Sequence, residues 1–307
     1  SVGGKGCVEP TATRGGGGGM LPGMTSRERI EAALTGVRPD RVPVSLYELS
    51  HLCPGGWAGR EASYAPLLAL QGQWGDSFVF ARADVSHVTR DPNAVGDSAA
   101  TGGGAVETVR RLPTPAGELR SVVRRDPRVA TIWQVEPFIK DADDARRFLS
   151  IPVAPFEVDL TGVRAAVARA GEDGMVAVAA GDPLGHVVGL FHYDGFLMLL
   201  LEHEDLILEM LRVTAARLRC GLEQLCAAVD GVCVRFWGPE YAAAPLVKAA
   251  VYFPKLVVDF LAPLIELVNA SGNYSIVHSH GRLDGVLEMI AEMQPHALEP
   301  MEVLPAV

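Results

Sequence analysis

The chain has 307 residues, 49% of them hydrophobic, which is enough apolar material for one large domain with a single buried core. Its net charge of -10 excludes non-specific binding to nucleic acid or to anionic membranes, since both require a concentrated positive surface. No apolar run approaches the ~20 residues of a membrane-spanning helix, and the five cysteines show neither CxxC spacing nor disulfide-rich density. These features predict a cytoplasmic protein with reduced thiols.

The first helix is predicted to begin after a glycine-rich leader. Residues 1–23 include consecutive glycines at positions 15–19 and show no apolar periodicity, so we predict that they are disordered. Thr25 and Glu28 have the spacing of a capping box, which predicts a helix that runs to Leu34. The folded domain is therefore predicted to span residues 24–307.

Six apolar, β-prone segments alternate with helical patterns along the rest of the chain. The predicted strands are residues 41–47, 76–80, 175–180, 232–236, 274–278 and 297–299. An inserted β-hairpin is predicted between residues 107 and 126, with its turn at residues 113–117. Regular alternation implies parallel strands with crossover helices, in an α/β barrel or in a doubly wound sheet. No GxGxxG motif follows a strand, so we favour the barrel.

Polar residues follow five of the six predicted strands, at the end where α/β barrels place their active sites. They are Tyr47 and Glu48, Asp182 and His186, Trp237 and Glu240, His278 and His280, and Glu299 with Glu302. Core packing does not require a polar group at each of these ends. The predicted substrate contacts are Tyr47, Glu48, Asp182, His186 and Trp237, and the predicted catalytic carboxylates are Glu240 and Glu299.

Several of these residues also have a purely structural interpretation. Asp182 could cap a helix that begins at Pro183, and an aromatic residue such as Trp237 more often packs than binds. Glu299 could form a salt bridge or cap a helix, and Glu302 could simply be exposed. The sequence leaves these alternatives open.

His278 and His280 lie two residues apart on backbone that leaves a strand, so their imidazoles point the same way and can share one cation. Zinc would need a third protein ligand, which a carboxylate oxygen of Glu299 or Glu302 could provide. In the alternative interpretation, one histidine caps the following helix and the other is hydrogen-bonded to backbone and chemically idle.

Several segments of the chain, taken together, resemble one known family. They are residues 25–36, 39–44 and 114–117, Trp133 with Glu136, residues 139–144 and 252–264, His278-Ser279-His280-Gly281, and Ala297-Leu298-Glu299-Pro300. In combination they are similar to the uroporphyrinogen decarboxylase superfamily, and more closely to its branch of cobamide-dependent, zinc-binding methyltransferase-like proteins. The resemblance extends from about residue 24 to the end of the chain.

The resemblance implies a TIM barrel that holds either an acidic tetrapyrrole or a zinc-activated methyl acceptor. Two departures restrict these options. Decarboxylases of the family have an arginine-rich signature after the first strand, whereas residues 47–59 contain no arginine. Zinc-binding members have His-x-Cys-Gly and a later cysteine, whereas this chain has histidine at position 280 and no cysteine after Cys233.

We therefore predict an incomplete TIM (β/α)8-type barrel of about six of the eight strands, with the inserted hairpin, truncated at its C terminus. The predicted reaction is methyl transfer from a corrinoid carried by a partner protein to a thiol or similar acceptor, with zinc bound by His278, His280 and Glu299. One alternative is tetrapyrrole decarboxylation. Another is a catalytically silent barrel that binds a corrinoid protein or a second copy of itself, since open sheet edges favour association and homodimers.

Overall fold

The computed structural model describes residues 23–46, 49–86, 96–100, 104–129 and 131–302 of the chain. Its strands are β1 (Ser77–Ala81), β2 (Gly96–Ala100), β3 (Val106–Thr114), β4 (Gly117–Arg125), β5 (Ile132–Glu136), β6 (Gly174–Ala179), β7 (Cys233–Trp237), β8 (Tyr274–His278) and β9 (Ala297–Glu299). Its helices are α1 (Ser26–Leu34), α2 (Ala65–Trp74), α3 (Ala142–Leu149), α4 (Thr161–Ala170), α5 (Pro183–Val188), α6 (Tyr193–Glu202), α7 (Glu204–Ala228), α8 (Ala249–Phe253), α9 (Asp259–Ala270) and α10 (Leu287–Glu292). Among these residues, no helix combines the length and the apolar character that crossing a bilayer requires.

Five parallel strands form the main sheet, in the order β1, β6, β7, β8, β9. Each strand lies beside the one that precedes it in the chain, once the inserted antiparallel strands are set aside. A doubly wound sheet would reverse its strand order at one point, and the described part of this sheet does not. The predicted α/β class and parallel pairing are confirmed. Within the described residues β1 and β9 are sheet edges, so closure into a barrel is not shown.

The inserted hairpin is confirmed as β3 and β4, with Thr114 paired to Gly117 at the tip. Gly117 has a φ of 127°, which glycine adopts readily because it has no Cβ. The strands β2 and β5, which the sequence did not predict, extend the hairpin to a four-stranded antiparallel sheet. Leu112 and Leu119 anchor the insertion, since both are buried in the main core.

The predicted first helix is confirmed with its capping box. Thr25 Oγ1 accepts a hydrogen bond from the backbone N–H of Glu28 at 3.1 Å, and the Glu28 carboxylate accepts from the N–H of Thr25 at 2.8 Å. Residues 1–22 of the predicted leader lie outside the described residues.

The predicted first strand is wrong over residues 41–46, which are irregular in the structure. The buried carboxylate of Asp76 accepts the backbone N–H of Val44 at 2.9 Å and the guanidinium of Arg41 at 2.7 Å. The Asp76 side chain thus makes the backbone hydrogen bond that a neighbouring strand would otherwise make. Val42 and Val44 are 76% and 55% exposed, so the apolar pattern of this segment does not mark a buried strand.

Alternate residues of the parallel strands point to opposite faces of the main sheet. One face, named the helix-covered face, presents the buried side chains of Val79, Val178, Val234, Phe236 and Val277 to the helices. These residues belong to one continuous apolar core.

The opposite face, named the cavity face, has a smaller apolar cluster. It contains Met175, Ala177, Cys233 and Ile276, with Ile30 of α1 packed against them. Beyond this cluster, toward the carboxyl ends of β7, β8 and β9, the same face presents the polar side chains of Arg235, His278 and Glu299. We name this polar edge of the cavity face, together with the adjacent His280, the rim.

Candidate functional site

Three neighbouring strands bring polar side chains together at the rim of the cavity face. The register pairs Trp237 of β7 with His278 of β8, and His278 with Glu299 of β9. Arg235 lies two residues before Trp237 and therefore on the same face. Long-range strand pairing thus brings Arg235 together with His278 and Glu299, which lie 43 and 64 residues further along the chain.

The guanidinium of Arg235 lies between the other two side chains. Its Nη2 donates to Nδ1 of His278 at 2.6 Å, and its Nε donates to Oε1 of Glu299. Oε1 of Glu299 also lies 3.3 Å from Nδ1 of His278. Burial alone would raise the pKa of the Glu299 carboxyl, but its contacts at this edge of the sheet, which include the ion pair with Arg235, outweigh burial and lower that pKa below its ordinary value. Glu299 is therefore an ionised carboxylate at neutral pH.

Arg235 was not among the predicted site residues. The available signal was a charged residue in the middle of the otherwise apolar segment 232–236. A buried arginine in a strand needs partners, but sequence alone does not say which residues supply them.

His280 has a separate partner. Its Nδ1 lies 2.8 Å from Oε1 of Glu302, and Oε2 of Glu302 accepts the backbone N–H of Gly281 at 2.9 Å. These hydrogen bonds, from Gly281 first and then from His280, lower the pKa of the Glu302 carboxyl. The rings of His278 and His280 are edge to face, with centroids 4.6 Å apart. The structure thus brings the two histidines together, and Glu302 is a hydrogen-bond partner rather than a simply exposed residue.

A cavity of about 190 Å³ opens on the same face of the sheet. It is lined by Ser45, Phe78, Phe80, Ala177, Arg235, Ile276 and Glu299. Most of its wall is apolar, while Arg235 and Glu299 contribute a pair of opposite charges. The cavity can therefore hold a small molecule that has an apolar body and a polar end.

The other predicted residues surround the loop that follows β6. Asp182 is fully buried and caps α5, since its Oδ1 accepts the N–H of Gly185 at 2.5 Å. Burial raises the pKa of Asp182 well above its ordinary value, and the charge of Glu240 adds to the effect. His186 Nε2 lies 2.8 Å from the carbonyl oxygen of Ala180, and burial lowers the pKa of this histidine. The cap interpretation of Asp182 is confirmed.

Trp237 and Glu240 also take part in local structure. The ring centroids of Trp237 and His186 are 5.5 Å apart. Oε2 of Glu240 accepts the backbone N–H of Gly238 at 2.9 Å. Trp237 also pairs with His278 in the sheet, so it lies between His186 and the rim. Tyr47 and Glu48 lie outside the described residues.

The zinc prediction can be compared with the donor atoms at the rim. A protein zinc site needs at least three ligands around one point, and the described part of the chain contains no group of three His, Cys, Asp or Glu side chains so arranged. Arg235 also donates to Nδ1 of His278, and its fixed positive charge disfavours a cation beside that ring. The residues described at this rim do not fit a zinc ion in their present arrangement.

Comparison with known proteins gives a structural similarity only. No family of known proteins matches the sequence, and no curated protein matches it. The fold is similar to that of a methyltransferase from Methanosarcina mazei, with a TM-score of 0.50, over 90% of this chain and 75% of that chain. Sequence identity is 16%, so the similarity concerns the fold. The chain is an α/β protein with a methyltransferase-like fold.

Proposed function

We propose that this chain is a barrel-type enzyme of the uroporphyrinogen decarboxylase superfamily that transfers a methyl group to a small thiol or similar acceptor. The observation that carries the proposal is the convergence of Arg235, His278 and Glu299 beside a cavity at the carboxyl ends of three adjacent parallel strands. Enzymes built on parallel α/β sheets bind their substrates at this edge. The unreversed strand order supports a barrel, and the fold similarity to a methyltransferase supports the reaction class.

The size of the cavity favours a small acceptor over a tetrapyrrole. Pockets for drug-sized ligands measure roughly 300–1,000 Å³, whereas this cavity measures about 190 Å³. Phe78, Phe80 and Ile276 would contact the apolar part of the acceptor, and Arg235 would lie near its polar end.

The reaction requires a group that takes up a proton. A bond forms between the acceptor's sulfur or oxygen and the methyl carbon, the bond from that carbon to the donor breaks, and its electron pair stays with the donor. The acceptor's proton must pass to a base, and an imidazole nitrogen with an unshared lone pair can accept it. The resemblance to cobamide-dependent proteins suggests a methylated corrinoid as the donor, carried by a partner protein.

The experiment is transfer of an isotopically labelled methyl group from methylcobalamin to a panel of small thiols, followed by mass spectrometry. We expect a methylated product, and a loss of roughly 100-fold or more in rate in both His278→Ala and His280→Ala. His203→Ala is the matched control, since His203 lies between α6 and α7 and its backbone hydrogen bonds are to residues of those two helices. Absence of product with every thiol, or unchanged rates in both rim variants, would refute the proposal.

A second candidate function is decarboxylation of a small carboxylated substrate. It is favoured by Arg235, because a guanidinium facing a cavity is a binding group for carboxylates. Carbon dioxide release from small carboxylic acids, abolished in Arg235→Gln and retained in Arg282→Gln, would support this reaction instead. Binding of a corrinoid protein without either reaction would identify the chain as a catalytically silent binding partner.

A further inference from the structure

We infer that Arg235 and Glu302 hold His278 and His280 in opposite tautomers, so that the pair offers one N–H donor and one lone pair to a thiol or hydroxyl group. The inference deepens the proposed function by naming the group that the rim recognises. It rests on the geometry of the two rings and their partners.

The tautomer of His278 follows from its contact with Arg235. A guanidinium has N–H donors and no acceptor, so Nδ1 of His278 must accept the 2.6 Å hydrogen bond. A neutral imidazole has one proton, which then resides on Nε2. The alternative, donation by Nδ1 to Glu299 Oε1, would use the longer separation of 3.3 Å and would place an N–H against the guanidinium. His278 therefore presents an N–H donor at Nε2.

The tautomer of His280 follows from its contact with Glu302. An ionised carboxylate only accepts hydrogen bonds, and Glu302 already accepts the backbone N–H of Gly281 through its other oxygen. The 2.8 Å contact therefore requires a proton on Nδ1 of His280. In the neutral ring Nε2 then has the lone pair, and the side chain of His280 is 54% exposed.

The two rings differ in what they offer, although they are the same residue type and lie 4.6 Å apart between centroids. A thiol or hydroxyl has one proton to give and lone pairs to receive one, so it matches a lone pair on His280 and an N–H on His278. A shared metal ion would need a lone pair from each ring. The rim is thus suited to a protonated acceptor group rather than to a bridging cation.

Nitrogen NMR of protein labelled with ¹⁵N-histidine tests the inference directly, because long-range proton–nitrogen correlations distinguish protonated from unprotonated ring nitrogens. His278→Ala and His280→Ala assign the signals. We expect His278 with its proton on Nε2 and His280 with its proton on Nδ1. The same tautomer in both rings of the wild-type protein, or the reverse assignment, would overturn the inference.

Substitutions of Arg235 and Glu302 test whether these two partners fix the tautomers of the histidines. In Arg235→Gln the amide can donate or accept, so His278 should lose its strict preference while His280 keeps its own. In Glu302→Gln the effect should fall on His280 alone. Arg282→Gln is the matched control, because it removes the same charge from an arginine that pairs with Asp284. Unchanged His278 signals in folded Arg235→Gln would contradict the role of Arg235.

The affinity for zinc, measured by calorimetric titration, gives an independent test. Loss of a true zinc ligand or of its supporting partner lowers metal affinity by at least about tenfold. We expect His278→Ala to change the affinity for zinc by less than that factor, and a loss of tenfold or more would overturn the inference. Neither measurement depends on turnover. A failed methyl-transfer assay with the expected tautomers would therefore refute the proposed reaction and leave the tautomer assignment standing.

Discussion

The two faces of the main sheet are built from the same five strands, yet they differ completely in composition at the carboxyl edge. The helix-covered face presents Val234, Phe236 and Val277, all fully buried. The cavity face presents Arg235 and His278 from the same two strands. Because side chains alternate with a period of two, neighbouring residues in one strand can serve stability and chemistry separately. Changes on the two faces should therefore have different consequences.

The largest expected effect comes from the helix-covered face. Phe236→Ala removes a fully buried ring and should lower the free energy of unfolding by about 3–5 kcal/mol. Phe78→Ala, on the partly buried cavity face, should cost less because its ring is already partly in contact with solvent. Urea unfolding followed by circular dichroism measures both. Equal losses would show that the two faces contribute alike to stability.

A smaller effect should appear at the buried cap beside the rim. Burial raises the pKa of Asp182 in the folded protein, so above its ordinary pKa the folded state retains a proton that the unfolded state has lost. The free energy of unfolding then falls as pH rises through that window. Asp182→Asn still caps α5 but does not ionise, so it should gain stability relative to wild type between about pH 5 and about pH 8. Urea unfolding of the variant and of wild type at the two ends of this pH range measures the difference in stability. The same difference at both pH values would contradict this account.

The smallest effect on stability should come from the rim itself. Glu299→Gln removes the charge but keeps a side-chain oxygen that can accept from the buried Arg235, so it should cost about 1 kcal/mol. The pKa of Glu299 is lowered, so the stability from this pair is present above the ordinary glutamate pKa and is lost as pH falls through the lowered value. Unfolding at neutral and acidic pH measures this. A cost comparable to that of Phe236→Ala would show that the rim is a structural element rather than a site.

Local features of the sequence predicted local features of the structure. Thr25 and Glu28 form their capping box within a single turn, and Asp182 caps α5 through a neighbour three residues away. The hairpin around Gly117 likewise depends on residues that are close in the chain. In each case, the interacting groups lie within a few residues, so spacing and side-chain chemistry suffice.

Two features that depend on side chains of distant partners were not predicted. The largely apolar segment 41–46 was predicted to be a buried strand, but the side chain of Asp76, more than thirty residues away from Val44, accepts the backbone N–H of Val44 instead. Arg235 was not selected because nothing near it in the chain identifies His278 and Glu299 as its partners.

The sequence by itself determined the strands of the parallel sheet beyond residue 76, the alternation of their side chains, and the closeness of the histidines at 278 and 280. Only the tertiary structure decided what those histidines can do. The pairing of β7 with β8 and of β8 with β9 sets a guanidinium against one imidazole, while a carboxylate holds the other. A hydrogen-bond partner fixes which ring nitrogen has the proton, and that partner is supplied by strand register, which is a long-range property of the fold.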